Sequence, residues 1–254
     1  KYMVRRMIID SLTYFTEIFD VDGFRFDLMG LLDINTINTA YDKTKNIKND
    51  IIMYGEGWNM DSLSCSMRAS FKNAAKMPNI AFFNDAYRDF IKGASFKENL
   101  KEKGYICGNI AYVNGVDFAI NGSTLPLSYE PRFISASQSI NFLECHDNYT
   151  VFDKLLVSNE NEDEQDILDR CRFAVSMVLT SFGVPFIHMG QEIGLSKHGN
   201  GNSYNKININ YHDNSNVKCA LCGGKTHFIG KKTGWICNNL ACESHNYNKS
   251  HKVR

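Results

Sequence analysis

The sequence predicts an α/β fold with a parallel sheet, followed by a small cysteine-containing module. Two observations carry this prediction. Short apolar runs of strand length alternate with stretches of helical spacing along most of the 254 residues, which is the pattern of βα units. After about residue 211 the aliphatic residues become sparse and four of the eight cysteines cluster. We therefore predict a first domain over residues 1–210 and a second over residues 217–254.

The N-terminal third predicts two helices and two strands. An amphipathic helix is predicted from apolar residues at helical spacing, namely Val4, Met7, Ile8, Leu12, Phe15 and Ile18. Residues 20–23 end this helix, and residues 24–28 form a short strand-like run. A second helix is predicted over residues 35–48. The apolar run 51–54 then suits a strand that is buried on both faces.

The same alternation continues toward the C-terminus. Strands are predicted at residues 79–83, 140–145 and 184–189, and a strongly apolar helix is predicted over 167–180. Residues 97–137 do not follow this alternation, so we expect an irregular insertion there. Short apolar strands separated by helices favour a parallel sheet.

Composition excludes some partners. The chain is 43% hydrophobic, and Lys plus Arg equals Asp plus Glu at 28 each, so no overall charge points to nucleic acid or a membrane surface. No apolar run approaches the ~20 residues that span a bilayer, and we expect no membrane partner. No signal-peptide pattern is present, but the chain starts at Lys1 rather than Met, which leaves the compartment open.

Polar residues follow the predicted strands. Asp27, Glu56 and the pair His146 and Asp147 each stand where a strand ends, and in a (β/α)8 barrel this end carries the catalytic groups. Arg25 and Asp27 lie two residues apart and so point to the same side of the strand. A neighbouring guanidinium stabilises a charged carboxylate, so this pair suits a polar site.

Three segments resemble the motifs of a known family. Residues 21–27 are VDGFRFD, residues 54–58 are YGEGW and residues 142–148 are FLECHDN. They resemble the nucleophile, general-acid and third acidic motifs of glycoside hydrolase family 13, the α-amylase family, in the form typical of type I pullulanases. Three motifs in the expected order make the resemblance specific.

Further segments are also similar to pullulanases, and the resemblance covers about residues 1–210. These segments are 79–85, 190–192 and 199–205. The resemblance implies a retaining glycosidase that cleaves α-1,6 linkages of pullulan, starch or glycogen, with an α-glucan polysaccharide or oligosaccharide as its partner. An α-1,4-specific amylase or neopullulanase is the alternative enzyme. A non-catalytic barrel remnant with a zinc-binding tail is the alternative of another class.

The family also implies roles for single residues. Asp27 would be the nucleophile that forms a covalent glycosyl-enzyme, and Glu56 would protonate the leaving oxygen and then activate water. Asp147 would hydrogen-bond the sugar in the −1 subsite and favour its distorted shape. Retaining hydrolysis requires two carboxyl groups about 5–5.5 Å apart.

Substrate binding is implied for four more residues: Arg25, which would orient Asp27, and His146, Trp58 and Asn148. Each residue taken singly also has a plainer interpretation. An aspartate at a strand end is more often a helix cap, Arg25 and Asp27 could form a structural salt bridge, and His146 could be a core histidine. Trp58 suits a sugar-stacking platform and ordinary core equally well. Only the joint pattern favours catalysis.

One family motif is missing. It precedes the nucleophile segment, comes from the third strand and includes an asparagine that often helps to hold calcium, so calcium is not supported here. By the family order we expect a partial (β/α)8 TIM barrel, with strands four to eight and their helices. Its sheet would have two unpaired edges. We expect such a chain to be unstable or inactive by itself, because loss of part of the −1 subsite impairs positioning.

The C-terminal cysteines have the spacing of metal ligands. Cys219 and Cys222 are separated by two residues, and Cys237 and Cys242 by four. This pattern resembles a zinc ribbon, so we expect one structural zinc ion. Two disulfides of a secreted protein, or free cysteines, are the alternatives. A zinc ribbon favours a compartment with reduced thiols, such as the cytoplasm.

The remaining features of the cysteines and of the tail allow weaker predictions. From residue 217 onward the sequence has seven Lys and Arg residues and a single acid, Glu243. This excess of positive charge gives weak support to a further hypothesis, that the tail binds nucleic acid. The other four cysteines are predicted to be small buried or partly buried residues; they are Cys65, Cys107, Cys145 and Cys171.

Overall fold

The computed structural model describes most of the chain, over residues 2–61, 63–205, 226–230 and 234–237. The chain divides into two compact units, Lys1–Ser203 and Tyr204–Arg254. In the second unit, residues 226–230 and 234–237 form an antiparallel hairpin of two strands, β6 (Thr226–Gly230) and β7 (Gly234–Cys237).

Helices and strands alternate along the first unit. Their order is α1 (Tyr2–Phe19), β1 (Gly23–Phe26), α2 (Ile34–Lys45), β2 (Ile52–Gly55), β3 (Ala81–Phe83), α3 (Asp85–Ile91), α4 (Val113–Ile120), β4 (Ser139–Asn141), α5 (Val151–Ser158), α6 (Glu164–Thr180) and β5 (Val184–Pro185). Short 3-10 turns connect several of them. Among the described residues, no helix is both long enough and apolar enough to cross a bilayer.

Strands β1 to β5 form one sheet in the order of the sequence, and every neighbouring pair is parallel. The predicted α/β class with a parallel sheet is confirmed. Because all five strands run the same way, their carboxyl ends meet at one edge. That edge carries the residues that follow β1, β2 and β4.

The two faces of the sheet bury different side chains. On one face, Phe24 and Met53 join Ile37 and other residues of α2 in an apolar cluster. On the other face, the guanidinium carbon of Arg25 lies 5.5 Å from the centroid of the Phe83 ring. The alternation along β1 thus divides its residues as the sequence predicts.

An aromatic cluster fills the face that carries Arg25. Phe83 contacts three other rings at centroid distances of 5.0–5.6 Å, and these belong to Tyr54, Phe142 and Phe186. The prediction that the 51–54 strand is buried on both faces is wrong at Ile52, which is 55% exposed.

Two predicted strands are shorter than their apolar runs. The run 140–145 continues as strand only to Asn141, and the run 184–189 only to Pro185. Phe142 and Leu143 are still buried, but they lie in a loop. The apolar run therefore indicates that its residues are buried, and does not indicate that all of them pair in the sheet. The region 97–137 is irregular as predicted, except that it contains helix α4.

The cysteines of the first unit follow the prediction in three cases out of four. Cys107 and Cys171 are buried, and Cys145 is half-buried. Cys65 is exposed, contrary to prediction. It begins a short 3-10 turn, Cys65–Met67, with no buried residue, so the spacing of single cysteines did not indicate burial.

Side-chain caps define where the helices begin. Four polar side chains accept a hydrogen bond from the backbone N–H three residues later, which satisfies a donor that the first helical turn leaves unpaired. The capping residues are Asp33, Asn84, Thr150 and Asp163. Asn84 and Thr150 begin helices directly after the sheet edge that carries the polar residues.

Gln138 joins the loop before β3 to the strand β4. Its side chain is buried, and its Nε2 donates to the backbone carbonyls of Ala74, Met77 and Ile80 at 3.1, 2.9 and 3.1 Å. We expect Gln138→Met to lower the free energy of unfolding by about 2–4 kcal/mol, because buried carbonyls lose their donor. Urea unfolding of both proteins measures the difference.

Gln165→Met is the matched control. Gln165 lies on α6, and its Nε2 makes one exposed hydrogen bond to Asp169. A surface substitution of this kind should change the free energy of unfolding by less than about 0.5 kcal/mol. Equal effects of the two substitutions would contradict the bridging role of Gln138.

Candidate active site

A cavity lies at the carboxyl edge of the sheet. It encloses about 400 Å³ of space, part of which is open to solvent. Its lining residues are Arg25, Glu56, Trp58, Phe83, Arg88, Lys92, Phe142, Leu143, Glu144, Cys145, Asp147 and Asn148. The cavity therefore combines an aromatic wall with three positive and three acidic groups around one opening.

Arg25 bridges two carboxylates across neighbouring strands. Its Nη1 donates to Oδ1 of Asp27, and its Nη2 donates to Oε1 of Glu56 at 2.8 Å. The second oxygen of Glu56 accepts from the backbone N–H of Leu28 at 2.9 Å. The two acids differ in access, because the side chain of Glu56 is 8% exposed and that of Asp27 is 63% exposed. Glu56 thus has both oxygens satisfied, while Asp27 stays open to solvent.

Glycines on both sides of Glu56 allow its loop to lie against the neighbouring strands. A Cβ on Gly57 would lie 2.5 Å from a ring carbon of Phe82 and 2.8 Å from the backbone nitrogen of Phe71. A Cβ on Gly55 would lie 2.7 Å from the carbonyl oxygen of Phe26. Only glycine fits at such distances, so these positions determine where the Glu56 carboxylate is placed.

The loop after β4 carries the third acid. Nε2 of His146 lies 3.4 Å from Oδ2 of Asp147. Asn148 has a left-handed backbone, with φ of 57°, and its N–H donates to Oδ1 of Asn202 at 2.9 Å. This turn brings Asp147 and Asn148 to the cavity wall.

The same loop has one group of potential metal ligands. The thiol of Cys145, the imidazole of His146 and the carboxylate of Asp147 place ligand atoms within 4.8 Å of one another. In the part of the chain that the structure describes, this is the one such group. The ammonium of Lys197 donates to the carbonyls of Cys145 and His146, and this positive charge opposes a second cation nearby.

The sequence-predicted residues come together at this edge. Five of them line the cavity: Arg25, Glu56, Trp58, Asp147 and Asn148. Asp27 is bonded to Arg25 and His146 faces Asp147. The indole of Trp58 lies beside the Arg88 guanidinium carbon at 5.8 Å from the ring centroid, so the ring both lines the cavity and packs against a neighbour.

Three buried charged residues at the cavity were missed from the sequence, namely Arg88, Lys92 and Glu144. Lys92 and Glu144 are both almost fully buried. Nζ of Lys92 donates to the carbonyl of Tyr149, and Oε1 of Glu144 lies 3.1 Å from Nδ1 of His188. Arg88 and Lys92 are four residues apart, which places both on the same side of a short helix. This spacing was the sequence signal that could have indicated a shared site.

Burial lowers the pKa of Lys92 from 10.5 to about 8, and the charge of Glu144 offsets part of this effect. Between these pH values the unfolded chain binds more protons than the folded chain, so folding stability rises with pH through this window. We expect Lys92→Met to remove this rise, which amounts to at most about 3 kcal/mol. Urea unfolding at pH 7, 8, 9 and 10 measures it as the difference between the two proteins.

Lys101→Met is the control for this titration. The side chain of Lys101 is 72% exposed and forms one surface ion pair with Glu160. Its variant should keep the pH dependence of the unmodified chain. Parallel stability curves for the unmodified chain and Lys92→Met would show that Lys92 does not lose its proton in this range.

Known proteins are similar to this chain over most of its length. The pullulanase of Bacillus subtilis (strain 168) is 41% identical over 203 residues, which are 80% of this chain and 28% of that protein. Pullulanase A of Streptococcus pneumoniae serotype 4 is 33% identical over 204 residues, or 77% of this chain and 16% of that protein. This chain is a homologue of the pullulanases. No protein-family model matches it.

Solved pullulanases share the fold. The type I pullulanase of B. subtilis str. 168, complexed with maltose, matches with a TM-score of 0.77 and 41% identity over 80% of this chain and 28% of that one. The pullulanase of Anoxybacillus sp. LM18-11, complexed with maltotriose, matches with a TM-score of 0.76 and 42% identity over the same shares. The chain thus spans less than a third of the length of these pullulanases.

Proposed function

We propose that this chain is a retaining glycoside hydrolase that cleaves α-1,6-glucosidic linkages of pullulan, starch or glycogen. The observation that carries the proposal is the bridge from Arg25 to Asp27 and Glu56, in a homologue of the pullulanases. A single guanidinium between two carboxylates is compatible with the ~5–5.5 Å separation that retaining hydrolysis requires.

The two acids would divide the reaction according to their surroundings. Asp27, which is open to solvent, would attack the anomeric carbon and form a covalent glycosyl-enzyme. Glu56 would give a proton to the glycosidic oxygen as that bond breaks, and the same carboxylate would then take a proton from the attacking water. Arg25 would keep both carboxylates in position through the two steps.

The cavity walls suit a glucose unit. Asp147 presents a carboxylate to the cavity, with His146 beside it on the same loop, and Phe83 and Phe142 supply an apolar surface. A sugar ring has polar edges and apolar faces, so such a cavity is complementary to it. The complexes of the solved pullulanases with maltose and maltotriose support an α-glucan as the ligand here.

We also propose that the five-stranded sheet is part of a (β/α)8 barrel, strands four to eight. The parallel pairing in sequence order supports it, since each strand of such a barrel pairs with the next. The structural match to type I pullulanase, with a TM-score of 0.77, supports it further.

Hydrolysis of two glucans by the 254-residue chain tests the proposed activity. We expect reducing ends to form faster from pullulan than from amylose, and the first product to keep the α configuration in an NMR time course. Faster hydrolysis of amylose would favour the α-1,4-specific alternative. If neither glucan is cleaved and maltotriose does not bind by calorimetry, the chain is not a glucan hydrolase by itself.

We propose a structural zinc ion for the second domain, residues 217–254. Three of its predicted ligands, Cys219, Cys222 and Cys242, lie outside the described residues, and the fourth, Cys237, ends β7. The β6–β7 hairpin supports a ribbon, because it follows the first cysteine pair along the chain and ends at the first cysteine of the second pair.

Metal analysis tests this zinc site. We expect one zinc per chain by mass spectrometry, and its loss in the double variant Cys219→Ser, Cys222→Ser. Cys65→Ser is the control, since Cys65 is exposed in the first unit. Equal zinc in all three proteins would exclude the ribbon. A gel shift with duplex DNA tests the weaker hypothesis of nucleic-acid binding by the basic tail.

A further inference from the structure

The side chain of Lys197 donates hydrogen bonds to four backbone carbonyls. Its Nζ donates to the carbonyl oxygens of Cys145, His146 and Asn148 at 2.9, 2.7 and 2.9 Å, and more weakly to that of Gly201 at 3.4 Å. Three of these oxygens belong to the loop that carries Asp147. One ammonium therefore contacts the residues on both sides of Asp147.

A second set of bonds positions the backbone of Lys197. Its N–H donates to Oδ2 of Asp153 at 2.8 Å, and the hydroxyl of Ser196 donates to the other oxygen of the same carboxylate. Asp153 is buried in the first turn of α5. The ammonium is thus attached, through its own backbone, to a helix that follows the loop.

The carbonyls require a hydrogen-bond donor or a positive charge at this point. Carbonyl oxygens that converge on one spot repel each other, and they are stable together only around a donor or a positive charge. Lys197 provides that charge in a partly desolvated position, and burial accordingly lowers the pKa of its ammonium while nearby acidic groups raise it. The left-handed backbone at Asn148 directs its carbonyl into this group.

We propose that Lys197 is a positioning residue for the candidate active site: its ammonium, bonded to the carbonyls of Cys145, His146 and Asn148, holds the loop in the shape that presents Asp147 and His146 to the glucan. It would touch no sugar itself, since it contacts the backbone side of the loop. The effect on glucan binding rests on the proposed function, whereas the effect on the loop does not.

Hydrogen exchange of the loop tests the proposal without any substrate. In Lys197→Ala, we expect the backbone amides of residues 145–149 to exchange on the order of tenfold faster by mass spectrometry, since local opening is no longer opposed by the ammonium. Maltotriose affinity, measured by calorimetry, should fall by a similar factor.

Rescue by a small amine separates the effect of the N–H donors of Lys197 from the effect of the space that its side chain fills. Ethylammonium fits the space that Lys197→Ala leaves and has the same donors, so it should restore slow exchange and maltotriose affinity. It should fail in Lys197→Met, whose side chain occupies the space without a donor. Tetramethylammonium, which has no N–H, should fail in both variants. Lys197→Met also serves if Lys197→Ala does not fold, because it keeps the apolar stem.

Lys101→Ala is the control, because Lys101 is exposed and paired with a surface carboxylate. In this variant, hydrogen exchange of residues 145–149 should equal that of the unmodified chain. Unchanged exchange in Lys197→Ala, or faster exchange that ethylammonium does not slow, would overturn the proposal. So would an unchanged maltotriose affinity in the variant when the unmodified chain binds maltotriose. If the unmodified chain neither cleaves a glucan nor binds maltotriose, the proposed function fails, and exchange with amine rescue still decides the role of Lys197 in the loop.

Discussion

Asp27→Asn is expected to slow pullulan hydrolysis by roughly 10⁴-fold or more while maltotriose affinity changes little. An amide oxygen cannot take the place of the carboxylate that forms the covalent bond to the sugar. The fold should be unaffected, because the Asp27 side chain is 63% exposed and, among the described residues, bonds only to Arg25. Initial rates of reducing-end release, with urea unfolding beside them, measure both effects.

Asp169→Asn is the matched control, since it alters another exposed aspartate that is paired with an arginine, Arg172. It should leave the rate within about twofold of the unmodified chain. Azide offers a second readout in Asp27→Gly, where it can occupy the vacated space and yield a product of inverted configuration. If Asp27→Asn retains more than a tenth of the rate, Asp27 is not the nucleophile.

Glu56→Gln is expected to slow pullulan hydrolysis by roughly 10³-fold or more, because the amide cannot give a proton to the leaving oxygen. The loss in kcat/KM, which reports the first step, should be much smaller with α-maltosyl fluoride, since fluoride leaves without a proton. This difference between substrates separates an acid from a residue that merely shapes the cavity. Rates with both substrates, measured on the same preparation, give the comparison.

Stability must be measured in the same variant. Both oxygens of Glu56 accept hydrogen bonds, one from Arg25 and one from the N–H of Leu28, and an amide nitrogen would place a donor against one of them. We expect a loss of about 1–3 kcal/mol in the free energy of unfolding. Glu160→Gln, at an exposed carboxylate, is the control. Equal losses of rate with the two substrates would contradict the role of acid.

Local chemistry explains why much of this site is visible in the sequence. The side-chain period of two separates Arg25 from Phe24 on β1, and the structure divides them between the two faces. Acidic residues that follow apolar runs mark the carboxyl edge of a parallel sheet, and Asp27, Glu56 and Asp147 lie there together. The motif resemblance adds the order of these residues, and the similarity to the pullulanase of B. subtilis extends over 80% of the chain.

Strand length and burial were less predictable. The run 140–145 has the same apolar character whether it pairs as a strand or packs from a loop, and only its first part pairs. A lysine is ordinarily a surface residue, so Lys92 carried no sign of burial by itself. Its environment comes from elements far along the chain, including the carbonyl of Tyr149.

The sequence by itself determined the parallel α/β class, the division of β1 between two faces, and the acidic residues of the candidate site, because these depend on side-chain type and short-range periodicity. Only the tertiary structure decided that Arg25 joins Asp27 to Glu56, and that the ammonium of Lys197 bonds to carbonyls of the loop that carries Asp147. The physical reason is that the first contact depends on the register of two strands. The second uses backbone carbonyls, which every residue has and no sequence pattern distinguishes.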